Sequence, residues 1–83
     1  MSIKEKRYEK MKNNPSSVKF KTLQSVLEDF GFLCTPGKGS HKNFRHPKLG
    51  TQFVFSVPVH GENPQLKAIY VKNALKAIEE VNS

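Results

Sequence analysis

No carboxylate occurs between residues 30 and 61 of this 83-residue chain. All seven acids lie outside that interval, at Glu5, Glu9, Glu28, Asp29, Glu62, Glu79 and Glu80. A catalytic pair of carboxylates, or a pair holding Mg²⁺, is therefore unsupported there. Cysteine is almost as scarce. With Cys34 alone an internal disulfide is excluded, and a chain this small would gain most from disulfides if exported, so a reducing cytoplasm is expected. Cys34 itself reads as a small hydrophobe on a strand. No apolar run approaches the roughly 20 residues that span a bilayer. The opening "MSIKEKRYEKMKNN" has no apolar centre of the kind a secretion signal needs.

Positive charge fills the space that the acids leave. The net charge is +7 on 9.4 kDa, which points to a polyanionic partner, nucleic acid or acidic protein. Lys38, Lys42, Arg45, Lys48 and every histidine (His41, His46, His60) fall inside the acid-free interval. Such crowding is costly unless something negative binds. A plain solvated basic face is the alternative.

The size and ordinary composition fit one small domain with a modest core. Residues 2 to 12 favour helix by propensity, and Asn13-Asn14-Pro15 stops it. Ile3, Tyr8 and Met11 give this helix only a thin apolar stripe, so residues 1–17 read as an extension laid on a main domain of residues 18–83. Phe20, Leu23, Val26, Leu27 and Phe30 recur at spacings of three and four, predicting a helix over about 19–30. Gly31 follows as its cap.

The periodicity then changes. Phe32–Thr35 and Lys42–His46 are short β-type runs, the second closed by a turn at Pro47-Lys48-Leu49-Gly50. Thr51–Val59 is the clearest strand, with Phe53, Phe55, Val57 and Val59 alternating against Gln52, Val54, Ser56 and Pro58. Asn63-Pro64 offers an N-cap and first-turn proline for a last helix over roughly 66–81. Its core stripe is Leu66, Ile69, Val71, Ala74, Leu75, Ile78 and Val81. The order α-α-β-β-β-α predicts an α+β fold: a three-stranded antiparallel meander with helices on one face. Phe44 should then point at the helices, and Asn43 and Arg45 at the open face, joined by His41 if its strand reaches that far. His46 would lie with Phe44.

"GKGSHKNFRHP", residues 37–47, carries the chemistry. Gly37-Lys38-Gly39-Ser40 is a compact loop whose backbone N–H groups can meet an anion, with a lysine beside them. It is not a phosphate-binding P-loop, because spacing and following residues differ. Ser40 and His41 are no nucleophile–base pair, since adjacent strand side chains point to opposite faces. Cys34, His41, His46 and His60 fit no zinc-ligand spacing, so no metal and no cofactor is expected. What remains is a histidine among cations. Beside an RNA phosphate, a neutral His41 imidazole can take the 2′-hydroxyl proton while Lys38, Arg45 and the loop amides hold the phosphate. Lys42 and Lys48 add phosphate contacts. Structural roles are expected for the other histidines, a hydrogen bond for His60 and a turn position for His46. Phe53 and Phe55 read as core rather than as base-stacking platforms.

"GSHKNFRHP", followed by "FSVPVHGENPQLKAIYVKNALKAIEE", resembles the HicA toxins of bacterial HicA–HicB toxin–antitoxin pairs. The pieces that match are Gly39-Ser40-His41, the aromatic Phe44 three residues on, and Val57-Pro58-Val59-His60-Gly61 leading into a C-terminal helix. The likeness covers about residues 18–81. It implies a double-stranded-RNA-binding-like fold and metal-independent cleavage of mRNA. It also implies His41 as the catalytic histidine and inhibition by a HicB-like antitoxin; the RNA-binding surface read from the residues themselves takes in Lys38, Gly39, Ser40, Lys42, Arg45 and Lys48. Lys42 stands where many members carry a second histidine. Two other readings of the same residues stay open: a non-catalytic RNA-binding module clamping phosphates with this loop, and a docking domain for an acidic protein.

Overall fold

The computed structural model describes residues 3–50 and 55–82. Three helices and three strands follow in the order expected: α1 (Ile3–Asn13), α2 (Phe20–Asp29), β1 (Leu33–Pro36), β2 (His41–Arg45), β3 (Phe55–Pro58) and α3 (Ala68–Asn82). The strands form one antiparallel sheet in the order β1-β2-β3. Residues 51–54, the first half of the strand expected over Thr51–Val59 and including Phe53, lie outside the described residues.

The apolar spacing of α2 does what it promised. Phe20, Leu23, Val26 and Leu27 are buried on one face. The helix ends where Gly31 takes φ +91°, donating its N–H to the Glu28 carbonyl at 3.0 Å while Phe32 N–H reaches the Leu27 carbonyl at 3.0 Å. Only glycine adopts that backbone readily. A β-carbon at Gly31 would also come within 2.9 Å of His46 Nε2.

The start of α2 departs from expectation. Asn63-Pro64 does not open the last helix, which begins only at Ala68. Instead the Asn63 side-chain oxygen accepts from Lys21 N–H at 2.9 Å, and the Pro64 carbonyl accepts from Phe20 N–H at 2.9 Å. This segment satisfies two first-turn donors of α2, which has Lys19 at its N-cap without a side-chain bond. Leu66 is held by its N–H to the Val18 carbonyl at 2.8 Å, so it is buried ahead of α3 rather than on it. Within α3, Val71, Ala74, Ala77, Ile78 and Val81 are buried. Ile69, expected in the core stripe, is 56% exposed.

α1 packs on α2 through Tyr8 edge-on to Phe30, ring centroids 5.5 Å apart, and through Arg7 to Asp29 at 3.7 Å. Its Met11 is 1% exposed and joins the common core. Phe44, fully buried, stacks on Phe55 at 5.3 Å and meets Phe20 at 6.3 Å. The helices thus cover one face of the sheet and leave the other open, the arrangement of a double-stranded-RNA-binding-like domain.

Candidate active site

Strand parity sorts the basic interval into two faces. The pairs Leu33–Arg45, Thr35–Asn43, Asn43–Ser56 and His41–Pro58 put His41, Asn43 and Arg45 of β2 on the open face. Lys42 and Phe44 take the helix face. Lys42 lines a hollow there with Phe20, Lys21, Cys34 and Glu62. It therefore does not share His41's side of the sheet.

Short bonds build the loop between β1 and β2. Gly37 N–H donates to the His41 carbonyl at 2.9 Å, and His41 N–H donates to the Lys38 carbonyl at 3.1 Å. Gly39 turns the chain at φ +59°. A β-carbon at Gly37 would press within 3.0 Å of the Asn43 amide. On the other side, Val59 N–H donates to the Ser40 carbonyl at 2.8 Å, tying the loop to the end of β3. The backbone N–H groups of Lys38, Gly39 and Ser40 donate to no group among the described residues. Three donors are left for an anion.

His41 is exposed, and its Nδ1 lies 3.3 Å from the Lys38 carbonyl oxygen. A carbonyl only accepts, so that bond places the proton of the neutral ring on Nδ1 and the lone pair on Nε2. Lys38, whose carbonyl meets this ring, is exposed, and Arg45 is exposed on the same face at the far end of β2. Asn43, which sequence reasoning assigned no role, sits between His41 and Arg45 and accepts from the Ser56 hydroxyl at 2.7 Å. Its strand parity was the available signal.

The remaining candidates have other occupations. Lys48 sits beyond the opposite end of β2, where its ammonium donates to the Val81 carbonyl at 3.1 Å, in the last turn of α3. His46 is buried, edge-on to Phe32 at 4.9 Å. Its Nδ1 accepts from Lys48 N–H at 3.0 Å while Nε2 lies 3.0 Å from the Phe30 carbonyl, so it is a structural residue. His60, expected to make a structural hydrogen bond, is exposed and makes none among the described residues. The Cys34 thiol is pushed up from its ordinary pKa, first by burial, with Glu28 adding to this and Lys42 opposing it. That favours the inert thiol. Among the described residues no three His, Cys, Asp or Glu side chains gather as metal ligands, and no helix is long and apolar enough to cross a membrane.

The family model for the HicA toxin of bacterial toxin–antitoxin systems matches residues 20–79. Neither a curated protein nor a solved structure matches the chain. The match takes in α2, the whole sheet, the His41 loop and most of α3, leaving α1 outside. This chain belongs to the HicA family, the toxins of bacterial toxin–antitoxin systems.

Proposed function

We propose that the toxin is a metal-independent endoribonuclease that cuts mRNA in the cytoplasm, with His41 as its catalytic base. The observation that carries this reading is the bond from His41 Nδ1 to the Lys38 carbonyl, which leaves Nε2 as the accepting atom on an exposed ring. The acid-free interval supports a route that uses no metal-holding carboxylates.

In this mechanism Nε2 takes the proton of a ribose 2′-hydroxyl, and the oxygen attacks the adjacent phosphorus. Lys38, Arg45 and the amides of Lys38, Gly39 and Ser40 hold the phosphate oxygens as charge builds on them. The bond to the 5′-oxygen breaks, leaving a 2′,3′-cyclic phosphate on one fragment. Water protonates the departing oxygen, and the resulting hydroxide takes the proton back from the imidazolium. A HicB-like antitoxin protein silences the toxin in the cell.

Single-turnover cleavage and a binding titration on the same RNA, for wild type and His41→Ala, test this. A lost acid–base group should slow cleavage by at least about a hundredfold and relieve growth arrest, with binding of intact RNA little changed. Wild-type cleavage should persist in EDTA. Cleavage by the variant within about threefold of wild type, far short of a lost general base, excludes His41 as catalyst. Parallel losses of binding and cleavage favour the phosphate-clamp module instead.

A further inference from the structure

A groove of about 510 Å³ runs between α1 and α2. Its walls carry Arg7, Lys10 and Lys21, with Asn14, Thr22 and Ser25 among the polar groups between them, and no carboxylate lines it. Arg7 is partly engaged by Asp29 at 3.7 Å. Lys10 and Lys21 are exposed and have no ion-pair partner among the described residues. Nothing in the catalytic loop accounts for this second cationic surface.

Lys21 also lines the neighbouring hollow of about 310 Å³, whose rim includes Lys42, Pro36 and one carboxylate, Glu62. Pro36 and Lys42 are paired at the loop end of β1 and β2, and Lys42 follows His41 directly. Cations therefore continue from the loop (Lys38), round the end of the hairpin (Lys42), past the first turn of α2 (Lys21) and into the groove (Lys10). Two lysines without partners on an acid-free wall suit a chain of phosphates better than a lone anion, because the charges are spread along a path.

We infer that the α1–α2 groove holds the phosphate backbone of the RNA strand beyond the cleaved bond, reached over the tip of the β1–β2 hairpin. This rests on the ribonuclease reading above. It gives α1, which lies outside the matched family region, a part in substrate binding. The groove grips length rather than sequence, since its contacts are to phosphate.

The test uses RNA fully 2′-O-methylated, so that no cut can occur, as a short oligonucleotide and as one several times longer. Titrations compare wild type, Lys10→Gln with Lys21→Gln, and a control with Lys72→Gln and Lys76→Gln, exposed α3 lysines lining neither hollow. Each single-strand phosphate contact contributes roughly 0.7 to the log–log salt slope. The groove variant should lose a slope of about 1.4, and so about 25-fold in affinity for the long RNA near 0.1 M salt. The short RNA should bind as before, and the control should change far less. Equal losses in control and groove variant, or no loss in the groove variant, overturn the inference while leaving His41 chemistry intact. So does a variant that binds RNA normally but loses affinity for polyglutamate, which assigns the groove to an acidic protein. Failure of the wild type to bind either RNA overturns the ribonuclease reading itself.

Discussion

The Asn63 side chain closes the first turn of a helix 42 residues earlier in the chain, its oxygen taking the Lys21 N–H at 2.9 Å. Losing such a cap typically costs about 1 kcal/mol. Asn63→Ala should therefore lower the urea midpoint of unfolding, and Asn63→Asp, which keeps the acceptor, should restore most of it. An unchanged midpoint for the alanine variant would show that water serves Lys21 equally well.

Phe44→Ala should damage the fold rather than the chemistry. The ring is fully buried against Phe55 and Phe20, and removing a buried phenyl ring costs about 3–5 kcal/mol. Calorimetry should show a large drop in Tm. Unaltered stability would contradict the burial of this strand face.

The two histidines of β2 and its following turn should separate cleanly. His46→Leu keeps a similar volume but removes the ring bond to the Phe30 carbonyl and leaves the Lys48 N–H without its acceptor, at about 1–3 kcal/mol of stability. Cleavage per folded molecule should hold, measured at a temperature where the variant is native. A catalytic loss at full folding would draw His46 into the chemistry.

Arg45 and Lys48 should differ in their response to salt. Arg45 is exposed on the open face, whereas the Lys48 ammonium is bonded to the Val81 carbonyl. Arg45→Gln should make the slope of RNA affinity against salt shallower by about 0.7. Lys48→Gln should leave the slope alone and soften the end of α3. Matching slopes for the two variants would refute the distinction.

Local pattern made much of this fold legible. The three-and-four spacing of Phe20, Leu23, Val26 and Leu27, the glycine after Phe30, and the alternation around Phe44 and Val57 each encode their element within a few residues. Asn63-Pro64 misled because a cap works on whichever helix end lies near in space, and here that was α2. Ile69 misled because helical spacing does not say which arc a neighbour covers. In the site, the loop glycines and the side of His41 followed from sequence. Nearness in sequence groups Lys42 with His41, whereas the sheet register turns it to the side of Phe44, and the diversion of Lys48 to α3 rests on a contact 33 residues away that no local pattern records.

The loop that presents His41 is fastened on one flank by Gly37 and the His41 carbonyl, and on the other by Val59 and the Ser40 carbonyl. Both fastenings are made within the chain. In the proposed reading the base is thus in position as soon as folding is complete, and substrate has nothing left to assemble. On that reading silence comes from the proposed antitoxin covering the loop, and activity follows the surplus of toxin over inhibitor, a matter of counting copies.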